Sequence, residues 1–258
     1  RRVLFRSIMV QREKMPKFKK KQKTEGEAGI VVNNPETSFE KREAYTRLKN
    51  NILYLNADGN KKVIQVISSL MHEGKTTITC NLAVGLGMTD KKVVVVDADF
   101  RKPRTQMEFN TSIKNGLADY IKGALKKEEI IKHTEYKNVD LITRGEDSSN
   151  SSLVFVSDKF KNLIEELREE YDFVLVDCPP VLQVSDFINI TPVTDGTLFV
   201  TAYGRTTRNQ VSEAVKELRK ANADIIGTVF SFYDSKKDGD YGYYNKKYGK
   251  YGYYGSEK

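Results

Sequence analysis

A glycine, a lysine and two threonines at residues 74–77 form a group of the types that bind a triphosphate. The group follows a β-branched segment and opens a helix-like one, so backbone N–H groups and the positive helix end would face an anion. Lys75 would reach the β- and γ-phosphate oxygens, and the Thr76 hydroxyl would ligate Mg²⁺. Ser69 stands where the common phosphate-loop pattern opens with glycine, and the alternative is an ordinary strand–loop–helix turn with a solvated lysine. The candidate nucleotide-binding residues are Ser69, Glu73, Gly74, Lys75, Thr76 and Thr77.

Two further apolar segments end in carboxylates. Residues 93–96 lead into Asp97 and Asp99, and residues 173–176 lead into Asp177. Carboxylates at the ends of buried strands cost free energy unless a cation or a proton-transfer task occupies them. Each one alone would suit a helix cap or a surface acid. Three of them beside a phosphate loop predict a site for Mg²⁺ and for an attacking hydroxyl group.

These residues fall in a chain where strand-like and helix-like segments alternate. The strand-like segments are 62–68, 92–97, 139–143, 173–177, 196–201 and 225–232. The helical patterns are 38–55, 75–88, short helices within 115–131, 157–170 and 207–221. The alternation predicts an α/β fold with a mostly parallel, doubly wound sheet and helices on both faces. Ligands of such sheets bind beyond the carboxyl ends of the strands, where Lys75 and the aspartates would lie.

We predict three parts: a basic arm and linker at residues 1–37, a nucleotide-binding domain at 38–232 and a tail at 233–258. Residues 1–23 carry ten Lys and Arg against Glu13 alone, while the whole chain has a net charge of +8. The rest of the chain is therefore close to neutral, which argues against a nucleic-acid groove on the domain. The arm would suit an anionic membrane surface or an acidic protein face, and the alternative is a solvated tail. Since the chain does not open on methionine, Met9 and Met15 are candidate natural starts.

Composition narrows the protein class further. The hydrophobic fraction is 39% and the charged fraction 30%, as in soluble globular domains. No apolar run approaches the roughly 18 to 20 residues that cross a bilayer, and the first residues do not form a convincing signal peptide, so we expect a cytoplasmic protein. Cys80 and Cys178 are predicted to be buried and reduced, and the cysteines and histidines lack metal-site spacing.

The predicted tail is rich in tyrosine. The segment from Tyr233 to Tyr254 holds eight of the chain's fourteen tyrosines, interleaved with glycines and lysines that fit neither a helical nor a strand period. Such a segment could be a phosphoacceptor, a sticky low-complexity tail or a stacking surface for RNA. Beside a phosphate-binding domain we favour phosphoacceptors, and the candidates are Tyr241, Tyr243, Tyr244, Tyr248, Tyr251, Tyr253 and Tyr254.

Three motifs carry a resemblance to a known family. VVVVDADFRKP, which contains Asp97 and Asp99, is similar to the Walker A′ motif of the bacterial tyrosine kinases of capsule and exopolysaccharide synthesis. YDFVLVDCPP, which contains Asp177, is similar to their Walker B motif, and SSLMHEGKTT is similar to their P-loop, which also opens with serine. These kinases are relatives of the partitioning and division-site ATPases, and the resemblance spans roughly residues 36–254.

The resemblance implies a P-loop NTPase fold and a role for each site residue. Lys75 and Thr76 would hold the phosphates and Mg²⁺, Asp97 and Asp177 would manage the metal and its waters, and Asp99 would accept the tyrosine proton. Arg101 would orient phosphate or the neighbouring acids. The metal ligands would be Thr76, Asp97 and Asp177, and the cofactors ATP and Mg²⁺.

The same resemblance implies an ATP-dependent, non-specific protein-tyrosine autokinase that phosphorylates its C-terminal tyrosines in trans and regulates capsular or extracellular polysaccharide synthesis. It further implies a homo-oligomer at the inner face of the cell membrane, activated by a transmembrane polysaccharide co-polymerase adaptor.

Two departures from the family pattern keep alternatives open. Met71 and His72 replace a common Pro-Gly pair, and Glu43, Thr46 and Lys49 replace the family's Glu-x-x-Arg-x-x-Arg oligomerisation helix. One alternative is a partitioning-type nucleotide-switched ATPase, although Leu70 stands where that branch carries an extra lysine. The other is a non-catalytic interaction protein docked on a membrane partner.

Overall fold

The computed structural model describes residues 7–11, 30–146 and 151–233, with side chains from residue 30 onward except at 151 and 152. Its centre is an eight-stranded sheet in the order β1-β8-β7-β2-β6-β3-β5-β4. The strands are β1 (Ser7–Gln11), β2 (Val63–Ser68), β3 (Val93–Asp97), β4 (Ile131–His133), β5 (Val139–Ile142), β6 (Phe173–Asp177), β7 (Gly196–Ala202) and β8 (Ile225–Tyr233). Neighbouring strands are parallel except β4 with β5. The predicted mostly parallel α/β sheet is confirmed.

Four long helices connect the strands. They are α1 (Phe39–Leu55), α2 (Lys75–Gly87), α7 (Asp158–Glu170) and α9 (Arg208–Lys220), each within two residues of its prediction. The short helices are α3 (Thr105–Glu108), α4 (Leu117–Ile121), α5 (Lys127–Ile130), α6 (Ser151–Val156) and α8 (Phe187–Ile190), with a 3₁₀ turn at Thr191–Val193. Of these, α4 and α5 fall in the predicted 115–131 region. None of the helices in the described ranges has the length and apolar character to cross a bilayer.

Apolar side chains alternate between the two faces of the sheet because successive strand residues point in opposite directions. In β3, Val93 and Val95 pack on the face that carries α1 and α2, while Val94 and Val96 pack on the face that carries α7 and α9. A strand buried on both sides needs an unbroken apolar run, which is what residues 93–96 provide. Both cysteines are free and buried, as predicted.

The sheet extends into the predicted basic arm. Strand β1 lies at one sheet edge and pairs in parallel with β8, with Ser7 opposite Thr228 and Met9 opposite Phe230. The predicted linker also joins the body at its end, since Ile30 is buried and the Asn81 side chain of α2 accepts the backbone N–H groups of residues 31 and 32. The sequence predicts neither feature.

Gly87, the last residue of α2, approaches the backbone before β5 closely. A Cβ at Gly87 would lie 2.6 Å from the Lys137 carbonyl oxygen, whereas one at Gly85, in the same helix, would meet nothing closer than 3.8 Å. We expect Gly87→Ala to lower the free energy of unfolding by about 1–3 kcal/mol through overpacking against backbone. Gly85→Ala is the matched control and should be neutral or stabilising by up to ~1 kcal/mol, because alanine favours the helix. Urea unfolding curves measure both, and equal midpoints would contradict the close approach.

Candidate active site

The side chains of Lys75, Asp97, Asp99 and Asp177, which were predicted to share one site, converge beyond the carboxyl ends of the parallel strands. Parallel β3 and β6 run in register, with Asp97 opposite Asp177. Strand β2 lies on the other side of β6 and leads through the loop 69–74 into α2, which begins at Lys75. The Lys75 ammonium nitrogen lies 2.7 Å from Asp99 Oδ2 and 3.8 Å from Asp177 Oδ1. All four side chains are buried.

The phosphate loop is shaped by two residues with left-handed backbone. Gly74 has φ +86° and His72 has φ +64°, a conformation that costs a residue with a side chain more than glycine. Gly74 precedes the first residue of α2, so the chain reverses there and the N–H groups of the first helical turn face the loop.

Glu73 holds this loop to the neighbouring strand. Its carboxylate accepts the Leu70 N–H at 2.6 Å, the Ala202 N–H at 3.1 Å and the Thr206 hydroxyl. The Ser231 hydroxyl of β8 donates to the Glu73 carbonyl oxygen at 2.6 Å. Glu73, which the sequence places among the nucleotide-binding residues, therefore has its carboxylate engaged with protein groups and shapes the loop.

Lys75 and Asp99 form the shortest ion pair of the site. Burial opposes the charge on Lys75, but Asp177 and Asp99 outweigh it and raise the pKa of the ammonium group. Burial likewise opposes ionisation of Asp99, but the charge of Lys75 and its hydrogen bond prevail and lower the pKa of that carboxyl. Asp99 Oδ1 also accepts the backbone N–H groups of Arg101 and Lys102 at 3.2 and 2.9 Å.

Asp97 and Asp177 differ in how their oxygens are used. Asp97 Oδ1 accepts the Asp99 N–H at 3.0 Å, and Oδ2 accepts the Thr105 hydroxyl at 2.6 Å and its N–H at 3.3 Å. Asp177 Oδ2 accepts the Thr76 hydroxyl at 2.6 Å, while Oδ1 is buried with no hydrogen-bond partner among the described residues. Burial raises the pKa of Asp97 to about 6 and that of Asp177 to about 7, and the negative charge of Asp97 adds to the second shift.

These donors fit Mg²⁺. The ion prefers oxygen ligands and is usually held by one or two carboxylates together with substrate phosphates. Asp177 Oδ1, which has no hydrogen-bond partner among the described residues, and the adjoining Thr76 hydroxyl offer such ligands, whereas both Asp97 oxygens already accept hydrogen bonds. In the described ranges no three His, Cys, Asp or Glu side chains cluster as a metal site by themselves. A metal here would thus depend on phosphate oxygens.

The other predicted site residues lie around this cluster. The Thr77 hydroxyl donates to Glu108 at 3.2 Å, and the Ser69 hydroxyl is buried without a hydrogen-bond partner in the described part of the chain. The Arg101 side chain is exposed, and it is the backbone of Arg101 that contacts Asp99. The candidate phosphoacceptors from Tyr241 to Tyr254 lie outside the described residues.

The sequence missed three residues that shape the site. Thr105 binds Asp97, Thr206 binds Glu73, and Ser231 contacts the loop backbone beside Gly74. Ser231 lies 158 residues from Glu73 in the chain. The other two hydroxyls are eight and 133 residues from their partners and belong to no motif, so no local pattern identifies them.

Comparisons with known proteins find relatives over most of this chain. Residues 61–227 match the family model described as an AAA domain. Tyrosine-protein kinase YwqD of Bacillus subtilis is 30% identical over 202 residues, which are 78% of this chain and 85% of that protein. Tyrosine-protein kinase ptk of Acinetobacter johnsonii is 30% identical over 189 residues, 73% of this chain but 26% of that protein.

Among solved structures, the kinase domain of Escherichia coli tyrosine kinase ETK aligns with a TM-score of 0.78 at 26% identity, covering 87% of this chain and 88% of that domain. The chain thus spans most of YwqD and about a quarter of ptk.

The raised pKa of Asp177 makes stability depend on pH. A carboxyl whose pKa is about 7 when folded and near 3.8 when unfolded stabilises the fold below pH ~4, and that contribution is lost as pH rises to about 7. Asp177→Asn cannot ionise, so its unfolding free energy should rise relative to wild type across this window. The scale is on the order of 1.4 kcal/mol per unit of pKa difference.

Asp172→Asn is the control for that measurement. Despite partial burial, the Lys92 N–H and Lys91 lower the pKa of Asp172, so its contribution has the opposite sign and is lost at acidic pH. Denaturant unfolding of the three proteins from pH 3 to 8, with EDTA and without nucleotide, makes the comparison. A constant difference between Asp177→Asn and wild type would contradict the raised pKa.

Proposed function

Because the chain belongs to the family of bacterial tyrosine-protein kinases of capsule and exopolysaccharide systems, we propose that it transfers the γ-phosphoryl group of ATP to tyrosine hydroxyls, in trans, on its own C-terminal segment. The observation that carries the proposal is the convergence of Lys75, Thr76, Asp99 and Asp177 at the mouth of one phosphate loop.

Each part of the substrate has a matching group. The N–H groups at the start of α2 and the Lys75 ammonium would bind the phosphates, because both are positive and converge on the loop. Thr76 and Asp177 would hold Mg²⁺, and Asp97 would lie next to Asp177 on the adjacent strand. Mg²⁺ bound with ATP neutralises charge on the β- and γ-phosphates.

Asp99 would accept the proton of the attacking tyrosine. Its Oδ2 faces Lys75, while its Oδ1 is held by two backbone N–H groups. When phosphate oxygens draw the ammonium group away, Oδ2 becomes free to accept a hydrogen bond from a hydroxyl. Because tyrosine has an unperturbed pKa of about 10, most of the acceleration would come from positioning and charge stabilisation.

The proposed acceptors, of which Tyr241 is the first, come after strand β8 in the sequence. Tyr233 ends β8 and is buried, so we do not count it among the acceptors. The preceding Phe232 lies beside the loop, since a Cβ at Gly74 would be 4.0 Å from its ring. The end of strand β8 therefore lies close to the phosphate loop. Transfer between the copies of a homo-oligomer, as the family resemblance suggests, is part of the proposal.

We also propose an activating partner and a membrane location. The partner would be a transmembrane polysaccharide co-polymerase adaptor, and the ten Lys and Arg of residues 1–23 would favour an anionic membrane surface nearby. Phosphorylation of the tail adds about −1.5 to −2 charges per tyrosine, which would turn the cationic tails anionic. Anionic tails would repel one another, and this repulsion would regulate polysaccharide synthesis or export.

Purified protein incubated with Mg-ATP should become phosphotyrosine-positive, with the modified residues mapped by mass spectrometry between Tyr241 and Tyr254. Lys75→Met and Asp99→Asn should each lower the rate by at least roughly 10²-fold, since each removes a group that acts in the transition state. Lys137→Met is the matched control, because Lys137 pairs with Asp90 on the exposed surface and should leave the rate unchanged.

Two results would contradict the proposal. Undiminished phosphotyrosine in Lys75→Met would show that the phosphate site lies elsewhere. Phosphate release from ATP without phosphotyrosine, in the presence of a co-polymerase cytoplasmic segment, would favour a nucleotide-switched ATPase.

A further inference from the structure

Helix α3 (Thr105–Glu108) contacts both the end of strand β3 and helix α2. Its first residue, Thr105, binds Asp97 through both its hydroxyl and its backbone N–H, at 2.6 and 3.3 Å. Its last residue, Glu108, accepts the Thr77 hydroxyl of α2 at 3.2 Å. One short helix is thus attached both to the strand end that carries the aspartates and to the helix that carries Lys75.

Thr105 is the side chain on which Asp97 depends. Both residues have no exposed surface, and within the described ranges Thr105 is the one side chain that hydrogen-bonds to the Asp97 carboxylate. The remaining hydrogen bonds to Asp97 come from backbone N–H groups. A buried carboxylate that loses a charge-assisted hydrogen bond is free to rotate or to change its partners.

The orientation of Asp97 passes on to Asp99. Asp97 Oδ1 accepts the Asp99 N–H at 3.0 Å, which sets the backbone at Asp99. The Arg101 and Lys102 N–H groups then hold Asp99 Oδ1, and Oδ2 is left facing Lys75 at 2.7 Å. Thr105 and Asp99 thus donate to the two oxygens of the same Asp97 carboxylate, so Asp97 connects Thr105 to the residue whose Oδ2 accepts from Lys75.

We propose that Thr105 is a positioning residue for phosphoryl transfer, which acts through Asp97 to aim the Asp99 carboxylate and supports turnover rather than nucleotide binding. The inference rests on the proposed kinase function. It extends that function by assigning a role to a residue outside the three motifs. Among the described residues Thr105 forms no hydrogen bond with the phosphate loop 69–74, and its side chain hydrogen-bonds to Asp97, so we expect its effect in kcat and not in the KM for ATP.

The experiment compares Thr105→Val, which removes the hydroxyl at similar volume, with Thr105→Ser, which retains it. We expect Thr105→Val to lower kcat for tyrosine phosphorylation by roughly 10–100-fold, the usual effect of losing a hydrogen bond that orients a ligand or catalytic group. The KM for ATP should change by less than about 3-fold, as expected for an interaction that matters mainly in the transition state. Thr105→Ser should restore most of the lost kcat.

Thr197→Val is the matched control. Thr197 is equally buried, and its hydroxyl accepts a hydrogen bond from Gln65 within the sheet, away from the aspartates. The Thr197→Val substitution should lower the melting temperature about as much as Thr105→Val while leaving kcat near the wild-type value. Wild-type kcat in Thr105→Val, no recovery in Thr105→Ser, or an equal loss of kcat in Thr197→Val would each overturn the proposal.

Crystal structures of the nucleotide-free wild type, Thr105→Val and Thr105→Ser provide a readout that needs no activity. Asp99 Oδ2 should remain within hydrogen-bond distance of Lys75 in the wild type and the serine variant, and turn away in the valine variant. An unchanged Asp99 in the valine variant would overturn the positioning role. A wild type that produces no phosphotyrosine would instead count against the proposed kinase function, so the two failures are distinguishable.

Discussion

The site depends on the burial of one ammonium group among three carboxylates at the carboxyl ends of the parallel strands. Lys75, Asp97, Asp99 and Asp177 are all less than a tenth exposed, and with every carboxyl ionised the negative charges would outnumber the positive one. Burial in a medium of low dielectric constant disfavours each charged carboxylate, which is why the pKa values of Asp97 and Asp177 are raised, and a neighbouring carboxylate charge adds to each shift. A triphosphate alone would increase the imbalance, whereas a divalent cation that arrives with it would reduce it. The electrostatics of these four buried groups thus favour the metal–nucleotide complex over the free nucleotide.

The surroundings of the cluster make this burial tolerable. Hydroxyls of Thr76 and Thr105 and several backbone N–H groups supply the hydrogen bonds that water would otherwise provide. The phosphate loop is held in the same manner, because the Glu73 carboxylate accepts hydrogen bonds from the loop, from the last residue of β7 and from Thr206. Preorganisation of this kind keeps the charged groups in place before a substrate arrives, which is how a site with little covalent chemistry can accelerate phosphoryl transfer.

Most of the fold could be predicted because its signals are local. The unbroken valine run of β3 and the apolar face of α7 report burial through residue type and period alone. The elements that were missed lack such signals. Helix α3 has four residues and follows a proline, and β1 lies in a segment whose basic charges dominate its composition. Short elements like these are stabilised by tertiary partners that belong to other elements, such as Asp97 for α3 and β8 for β1.

The sequence by itself determined the family, the parallel α/β class and the identity of the lysine and three aspartates, because the spacing of each motif records the strand or helix that presents it. Only the tertiary structure decided which oxygens those aspartates have available. It showed that both Asp97 oxygens accept hydrogen bonds, from Thr105 and Asp99, that Asp177 Oδ1 has no hydrogen-bond partner among the described residues, and that Glu73 supports the loop. These hydrogen bonds join residues that are far apart in the chain or share no motif. They depend on how strands and loops pack against one another in three dimensions, which a local sequence pattern does not show.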